Sequence, residues 1–279
     1  MAVRAMGTSR YASIGGVRVH YREAGEGPPL VMLPGLGSST VCSWGAILPH
    51  LTPHFRVLAL DLPGQGDSDK PVRTYSLEYA VESTVGFLDA AGLEAADLMG
   101  TSAGGLIAMA TALGHPDRVR RLVLVAPAGL GREVTWGLRL ASLPLMGYVG
   151  AAPWRWLVRR SLDWNFTDPA CITEGLVEEY CRVRGLPGAQ RALRSAMRSS
   201  LSLKGLREEL VLCDRLPELK QPALVIWGRH DRVLPVAHAE VAQRLIRDCR
   251  VHILQDAGHD PSTEWPAEVA QLAREFLCT

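Results

Sequence analysis

Apolar residues along this chain follow two spacings, one typical of buried strands and the other of helices with one buried face. Short uninterrupted apolar runs, such as residues 30–33, predict strands that are covered on both faces of a sheet. With the hairpin signal at Gly15-Gly16, eight strands are predicted, at residues 10–14, 17–24, 30–33, 55–60, 96–99, 121–125, 222–227 and 250–254. Apolar residues three or four positions apart predict helices at residues 43–51, 76–91, 103–115, 238–246 and 266–277.

The alternation of strands and helices stops between residues 131 and 220. This segment has helical spacing and no predicted buried strand. An α/β alternation that is interrupted in this way predicts a mostly parallel, doubly wound, eight-stranded sheet that carries an inserted helical cap. We expect residues 1–130 and 221–279 to form the core and residues 131–220 to form the cap.

Composition and charge narrow the class of protein. The 279 residues are 47% hydrophobic, which suits a globular protein with a large core, and a net charge of +1 argues against nucleic-acid binding. No apolar leader and no uncharged membrane-spanning stretch is found, and six cysteines lack paired spacing. We therefore expect a cytoplasmic monomer or homodimer with reduced thiols. Neither CxxC nor HExxH occurs, so we expect no metal and no cofactor.

A Gly-x-Ser-x-Gly pattern at residues 100–104 follows the predicted strand 96–99. In this pattern a sharp strand-to-helix turn holds the serine at its tip in a strained backbone conformation, and a Cβ at either glycine would collide with neighbouring elements. The helix that starts near Ala103 points unpaired N–H groups at any negative charge that forms beside the serine hydroxyl. Ser102 is therefore the candidate nucleophile.

A serine nucleophile needs a base to take its proton and a carboxylate to orient that base. In a parallel sheet both are expected in loops at the carboxyl ends of strands. Asp231 follows the predicted strand 222–227, and His259 follows the predicted strand 250–254. We predict that Asp231 is the orienting acid and that His259 is the base.

Other roles stay open for these two positions. Asp231 could cap the next helix or pair with Arg229 or Arg232, which are its near neighbours in sequence. His230 is the nearest rival of His259, but its place beside Asp231 would aim the two side chains apart. The remaining histidines lie inside predicted strands or at unsuitable ends of elements.

The order of these three residues is the one expected for a nucleophile elbow on this architecture. Over essentially its whole length the chain resembles the α/β-hydrolase superfamily, with similarity to carboxylesterases and lipases. The resemblance is carried by Pro34-Gly35-Leu36-Gly37, Asp61-Leu62-Pro63-Gly64-Gln65-Gly66-Asp67-Ser68, Gly100-Thr101-Ser102-Ala103-Gly104-Gly105, Gly228-Arg229-His230-Asp231 and Gly258-His259.

The resemblance also implies an oxyanion hole. Its two donors would be the backbone N–H groups of Leu36 and Ala103, which would hold the negative oxygen formed when a carbonyl is attacked. Pro34 stands where many members of the superfamily have a histidine that braces this loop. Backbone donation by Leu36 does not depend on that histidine.

The main functional prediction is hydrolysis of carboxylic esters through an acyl-enzyme. Ser102 would attack, His259 would take and return the proton, and Asp231 would orient the imidazole. An apolar cap favours small-molecule esters with hydrophobic acyl or aromatic groups. The apolar cap residues, each expected to pack within the cap or to roof the site, are Trp136, Leu143, Leu145, Met146, Tyr148, Val149, Trp154, Trp156 and Trp164.

The first alternative resembles the hydrolases that cleave carbon–carbon bonds in vinylogous diketone acids, which are the meta-cleavage products of aromatic rings. In that group a Trp typically follows the catalytic histidine, and a cap arginine holds the substrate acid. Here Asp260 follows the histidine, whereas Arg182, Arg184 and Arg191 could each supply the arginine. Further alternatives are a lyase, a cofactor-free perhydrolase, or a weakly hydrolytic ligand receptor on the same fold.

Overall fold

The computed structural model describes residues 7–143 and 153–278. Its strands are β1 Thr8–Ile14, β2 Val17–Ala24, β3 Pro29–Leu33, β4 Arg56–Leu60, β5 Ala96–Thr101, β6 Val119–Val125, β7 Leu201–Ser202, β8 Gly205–Leu206, β9 Ala223–Gly228 and β10 Cys249–Leu254. Eight of them form one sheet in the order β1-β2-β4-β3-β5-β6-β9-β10. Strand β2 is antiparallel to both of its neighbours, and all other pairs in this sheet are parallel.

Helices cover both faces of the sheet and occupy much of the segment between β6 and β9. They are α1 Thr40–Trp44, α2 Leu48–Leu51, α3 Leu77–Ala90, α4 Ala103–Gly114, α5 Trp136–Ala141, α6 Arg155–Asn165, α7 Glu174–Gly185, α8 Ala189–Ser200, α9 Ala237–Leu245, α10 Pro261–Glu264 and α11 Pro266–Leu277. No helix in the two described ranges is both long and apolar enough to cross a lipid bilayer.

A hydrophobic core lies on each face of the sheet. On one face, Phe87 of α3 and Leu106 of α4 pack in the same cluster as Leu98 of β5. On the other face, Trp44 of α1 packs in the cluster that contains Met99 of β5. Consecutive side chains of this strand are thus buried on opposite faces, which is why its sequence is an apolar run and not an alternating pattern.

The predicted doubly wound, mostly parallel sheet of eight strands is confirmed. One predicted helix differs, because residues 43–51 form two short helices, α1 and α2. Helix α1 begins earlier than predicted, since Ser39 Oγ accepts a hydrogen bond from the backbone N–H of Cys42 at 3.2 Å. Helix α1 ends at Trp44, and α2 begins at Leu48 with Pro49 in its first turn, where a missing N–H is tolerated.

The segment between β6 and β9 contains one feature that its spacing does not predict. Strands β7 and β8 pair antiparallel as a two-residue ladder. Strands this short carry no periodicity, so a pattern search cannot find them. The limits of the core and the cap stay a prediction, and we refer to residues 131–220 as the cap.

The expectation for the cap tryptophans is wrong. Trp136, Trp154, Trp156 and Trp164 are 67%, 52%, 65% and 49% exposed, so they neither fill the cap core nor enclose the site. The buried cluster of α6 and α7 consists of smaller side chains and a tyrosine, namely Val158, Leu162, Val177 and Tyr180. Leu143 is partly buried. Leu145, Met146, Tyr148 and Val149 lie outside the described residues.

Candidate active site

The turn at Ser102 has the geometry that its sequence predicts. Ser102 lies between β5 and α4 with φ 53° and ψ −118°, a conformation that non-glycine residues rarely adopt. A Cβ on Gly100 would collide with the carbonyl of Gly104, and a Cβ on Gly104 would collide with the carbonyl of Leu33. Both glycines are therefore needed for strand, helix and loop to meet here. The Ser102 residue is partly exposed at the carboxyl end of the strand.

Asp231 follows β9 and is held by four hydrogen bonds. Oδ1 accepts from the backbone N–H groups of Val233 at 2.7 Å and Leu234 at 2.9 Å. Oδ2 accepts from the indole N–H of Trp227 at 2.9 Å and from Nδ1 of His259 at 2.8 Å. The side chain of Asp231 is fully buried, so these donors replace the water that a carboxylate otherwise binds.

These contacts show which groups Asp231 binds among those that the sequence left open. Its Oδ1 binds the turn after β9 and does not cap the next helix, which begins at Ala237, and its Oδ2 binds the histidine. Arg229 donates instead to Gln255 at 3.2 Å. Sequence reasoning missed Trp227, although its position four residues before Asp231 is the local signal for a contact across the turn.

His259 lies in the loop after β10 and is 6% exposed. Burial lowers the pKa of the imidazole, but the charge and hydrogen bond of Asp231, together with the charges of Asp260 and Glu264, outweigh it. The pKa of His259 is therefore raised above its ordinary value of 6.5. Since Nδ1 is bonded to Asp231, Nε2 is the nitrogen left to exchange a proton with a substrate or nucleophile.

Sheet order brings the three predicted residues to one edge. Strands β5, β6, β9 and β10 are consecutive and parallel, so the loops that carry Ser102, Asp231 and His259 leave the same edge of the sheet. One strand separates β5 from β9, which puts the two strand ends about 10 Å apart. No hydrogen bond joins His259 to Ser102 among the described residues, so the approach of the imidazole to Ser102 stays a prediction. The structure joins Asp231 to His259 directly and places Ser102 at the same edge.

The two predicted oxyanion donors flank Ser102. Within the described residues, neither the N–H of Leu36 nor that of Ala103 has a hydrogen-bond acceptor. Gly35 lies against the nucleophile turn, where an added Cβ would be 3.6 Å from Cβ of Ser102. Two unpaired N–H groups beside a serine can each stabilise a developing oxyanion by roughly 2.7–4 kcal/mol.

The loop that carries Leu36 is braced by the cap. Ser38 Oγ bonds to Ser43 Oγ at 2.7 Å and to the hydroxyl of Tyr180 in α7 at 3.3 Å. Leu193 of α8 packs so closely on Gly37 that an added Cβ would be 2.8 Å from its methyl carbon. These contacts join residues far apart in the chain, and no local pattern marks them. They support the loop in which Pro34 replaces the usual histidine.

Two cavities adjoin at this loop. The larger one, about 700 Å³ including its open mouth, is mostly apolar and is bordered by Leu36 and Ala103. The smaller one, about 270 Å³, is bordered by Ser38 and Arg184. Gln65 borders both cavities, and its buried Oε1 has no hydrogen-bond partner in the part of the chain that the structure describes. Together they offer a mostly apolar space that runs from the predicted oxyanion donors to Arg184 beneath the cap.

Two of the three predicted cap arginines are committed elsewhere. Arg182 donates to both oxygens of Asp67 at 2.8 and 3.0 Å and also to Glu179 at 2.7 Å. These hydrogen bonds join the cap to the core. Arg191 donates to the backbone carbonyl of Lys70 at 2.9 Å on the surface.

Arg184 differs from both. It borders the smaller cavity, and its guanidinium carbon lies 5.3 Å from the ring centre of Tyr180. Its Nε is buried and has no hydrogen-bond partner, and no described carboxylate pairs with it. Burial lowers the pKa of this guanidinium. An unpaired cation at the end of a cavity is a site for an anionic group.

A buried polar network supports the loop at residues 61–68. Potential ligand atoms of His20, Asp61 and Asp67 lie within 4.8 Å of one another, an arrangement that could in principle hold a cation. They are engaged with protein groups, however. His20 Nδ1 bonds to Asp61 Oδ2 at 2.7 Å, Thr40 donates twice to Asp61 Oδ1, and Arg182 pairs with Asp67. The network therefore holds the loop that borders both cavities.

Known proteins resemble this chain along nearly its full length. The α/β hydrolase fold family matches residues 28–147. The 2-hydroxy-6-oxo-2,4-heptadienoate hydrolase of Pseudomonas putida strain F1 is 30% identical over 275 residues, which cover 96% of this chain and 95% of that protein. The 2-hydroxymuconate semialdehyde hydrolase of Pseudomonas sp. strain CF600 is 32% identical over 267 residues, which cover 94% and 91% of the two chains.

Solved structures agree with these relatives. The meta-cleavage product hydrolase from Pseudomonas fluorescens IP01 is 29% identical and superposes with a TM-score of 0.83, covering 99% of this chain and 98% of that one. The likeness includes the segment between β6 and β9 as well as the sheet. The strained serine turn, the sheet order and the relatives all lead to one conclusion. This chain belongs to the α/β-hydrolase superfamily of serine hydrolases.

Proposed function

We propose that this enzyme hydrolyses a carbon–carbon bond in 2-hydroxy-6-oxodienoate acids. Ser102 is the nucleophile, His259 the base and Asp231 the orienting acid. The observation that carries the proposal is Arg184, which borders the smaller of the two adjoining cavities and whose buried Nε has no hydrogen-bond partner among the described residues. The relatives support the same chemistry, because two of them are named as hydrolases of acids or semialdehydes of this type.

The two adjoining cavities match such a substrate through the charge of Arg184 at one of them and the apolar lining of the other. A 2-hydroxy-6-oxodienoate has a carboxylate at one end and a ketone six carbons along. A carboxylate at Arg184 would pair the unsatisfied cation, which lowers the cost of its burial. The unpartnered Oε1 of Gln65 can accept a hydrogen bond from the 2-hydroxyl group. The apolar chamber then takes the group attached to the ketone.

The first half of the reaction forms an acyl-enzyme. The dienol first becomes the 2-ketone, as its hydroxyl proton is lost and carbon 5 gains one. Ser102 Oγ then attacks carbon 6 and gives its proton to Nε2 of His259. The oxygen of the former ketone becomes negative and accepts hydrogen bonds from the N–H groups of Leu36 and Ala103.

Breakage of the bond between carbons 5 and 6 follows. Its electron pair moves through the conjugated chain to the oxygen on carbon 2, which takes the proton from His259. This step releases a 2-hydroxydienoate and leaves the acyl group on Ser102. Water then gives a proton to His259 and attacks the acyl carbon, and the released carboxylic acid frees Ser102. One water molecule is consumed in each cycle, and Asp231 stabilises the imidazolium in both halves.

Ester hydrolysis, the main prediction from sequence, uses the same groups without the first proton transfer. The relatives favour the carbon–carbon reaction, and so does Arg184, because a simple ester has no carboxylate to pair with it. Asp260 argues against the carbon–carbon reaction, because it stands where that group of hydrolases typically has a Trp. This carboxyl is 8% exposed, and burial raises its pKa to about 7.

Comparison of substrates tests the proposed function. The purified protein is incubated with a 2-hydroxy-6-oxodienoate, whose absorbance is followed, and with p-nitrophenyl esters of increasing acyl length. We expect a higher kcat/KM for the dienoate, with a 2-hydroxydienoate and a carboxylic acid as products. Faster ester hydrolysis with no loss of the dienoate would support the esterase prediction. Labelling by a fluorophosphonate without turnover of either would support a receptor, and other products would support a lyase or perhydrolase.

Replacement of Arg184 by glutamine is expected to lower kcat/KM for the dienoate by about 10²-fold, because the carboxylate loses a buried charged partner. Hydrolysis of a neutral p-nitrophenyl ester should change much less. The control is Arg160→Gln, which removes an exposed cap arginine. Equal losses on the two substrates would assign Arg184 to cap folding and not to substrate binding.

The pH dependence of the rate follows from the raised pKa of His259. The base must be neutral, so activity should fall as pH decreases through a midpoint above 6.5. Asp260→Asn should move this midpoint to lower pH, because a neighbouring carboxylate favours the charged imidazole. The check is kcat/KM between about pH 5 and 9. A flat profile would exclude a histidine base.

A further inference from the structure

Glu264, the last residue of α10, binds two separate parts of the molecule with one carboxylate. Its Oε1 accepts from the backbone N–H of Thr167 at 2.5 Å, from Thr167 Oγ1 at 2.8 Å and from the N–H of Asp168 at 3.3 Å. Its Oε2 accepts from the N–H of Gly258 at 2.5 Å. Thr167 and Asp168 follow α6 in the cap, whereas Gly258 immediately precedes His259. The cap and the loop of the base therefore meet on one side chain.

A second contact joins the same two segments. The backbone N–H of His259 donates to the carbonyl of Asn165, the last residue of α6, at 2.7 Å. Gly258 lies so close to the end of α6 that an added Cβ would collide with the carbonyl of Asn165. The backbone of the base is thus hydrogen-bonded to the cap itself, in addition to the bond between its ring and Asp231.

Helix formation and capping do not explain these contacts. Helix α10 has four residues, and the Glu264 carboxylate bonds to none of its backbone groups. Three of its four hydrogen bonds go to residues 96 or 97 positions away in sequence. A carboxylate that accepts from two segments fixes the distance between them, because each loses a charge-assisted bond if they separate.

We propose that Glu264 is a positioning residue of the active site. Its hydrogen bonds couple the position of the cap to the position of His259. The inference rests on the proposed role of His259 as base. When the cap is seated, Glu264 holds Gly258 and the segment at Thr167 together, and the imidazole keeps its bond to Asp231. When the cap shifts, the loop follows it, and the base leaves its working position.

Two substitutions on opposite sides of the contact test this proposal. Glu264→Gln replaces an acceptor oxygen by an amide that faces N–H donors, and we expect kcat to fall by about 10–100-fold, as for a small misplacement of a catalytic group. Thr167→Val removes one hydroxyl from the cap side, and we expect a loss of about fivefold. The double variant should lose no more than Glu264→Gln alone, because both changes break one contact. Fluorophosphonate labelling of Ser102 should slow in parallel.

Matched controls separate positioning from stability. Ser161→Ala removes a cap hydroxyl that bonds only within α6, and Glu268→Gln removes an exposed carboxylate of α11. Both should keep the kcat and labelling rate of the wild type. The charges that face His259 are Asp231, Asp260 and Glu264, so Glu264→Gln should also lower the midpoint of the acid limb, whereas Thr167→Val should leave it in place.

Outcomes of this experiment distinguish the two proposals. If Glu264→Gln and Thr167→Val lower the melting temperature but keep kcat and labelling, Glu264 is only structural and the inference is overturned. If Glu264→Gln fails to fold, Thr167→Val decides by the same criteria. If His259→Ala retains full activity, the proposed function itself fails. Loss of activity in His259→Ala with wild-type rates in the other two variants contradicts the inference alone.

Discussion

Ser102→Ala is expected to lower kcat/KM by roughly 10⁴- to 10⁶-fold on any substrate of this enzyme, and His259→Ala by a similar factor. Without the hydroxyl no acyl-enzyme forms, and without the imidazole the hydroxyl keeps its proton. The residual rate should come from substrate binding and from the N–H groups of Leu36 and Ala103, which remain in place. Steady-state rates with matched protein concentrations, together with a burst of the first product in the wild type only, give the measurement.

Two controls make this first prediction decisive. The double variant Ser102→Ala/His259→Ala should be no slower than either single variant, since the two residues act as one unit. Circular dichroism should show wild-type folding. Alanine and serine are both strained at the φ of 53° found at residue 102, so Ser102→Ala adds no new strain, and the surrounding glycine contacts remain. A folded Ser102→Ala variant with more than about a tenth of wild-type activity would show that another group attacks the substrate.

Asp231→Asn is expected to lower kcat by about 10⁴-fold, by analogy with serine proteases. The carboxylate accepts four hydrogen bonds, and an amide can accept at only one of its two heavy atoms. An amide nitrogen beside the N–H of Trp227 and Nδ1 of His259 would repel one of them. The imidazole would then turn or take the tautomer that carries its proton on Nε2, which cannot act as base.

Trp227→Phe tests the same hydrogen-bond arrangement around Asp231 with a smaller expected effect. It removes one donor to Oδ2 but keeps the aromatic packing of a fully buried side chain. We expect a loss of roughly tenfold or less, between the wild type and Asp231→Asn. Activity of Asp231→Asn within about tenfold of the wild type would show that Asp231 does not orient the base.

The features that the sequence predicts well depend on short stretches of chain. The sheet was predictable because its central strands, such as β5, are buried on both faces and stand out as apolar runs. The strained turn was predictable because two glycines with no room for a Cβ bracket Ser102. Contact between Asp231 and His259 followed from strand ends that share one edge of a parallel sheet. Their catalytic roles stay predictions.

The features that the sequence did not predict depend on contacts between distant segments. Nothing near Arg184 in sequence separates it from Arg182. In the structure, Arg182 pairs with carboxylates, whereas no carboxylate among the described residues pairs with Arg184. Tryptophans of the cap are exposed although their side chains are apolar, because burial depends on which face of a helix meets the core. The contacts of Glu264 likewise exist only because the cap packs beside the loop that carries His259.

The difference between esterase and carbon–carbon hydrolase shows how these limits of prediction from sequence affect the assignment of function. The triad does not distinguish the two reactions, since both pass through an oxyanion and an acyl-enzyme. On our proposal, polar groups away from Ser102 make the difference, namely Nε of Arg184 and Oε1 of Gln65, neither of which has a hydrogen-bond partner among the described residues. Both lie where the substrate's acid end would be and not where the bond breaks. The proposal therefore predicts that substrate class depends on the cap as much as on the core.

The most direct test of the central claim is product analysis by mass spectrometry after incubation of the wild-type enzyme with a 2-hydroxy-6-oxodienoate in ¹⁸O-labelled water. The mechanism predicts one 2-hydroxydienoate and one carboxylic acid per substrate, with a single ¹⁸O atom in the carboxylic acid, delivered when water opens the acyl-enzyme on Ser102. An intact dienoate, under conditions in which p-nitrophenyl esters are hydrolysed, would contradict the claim.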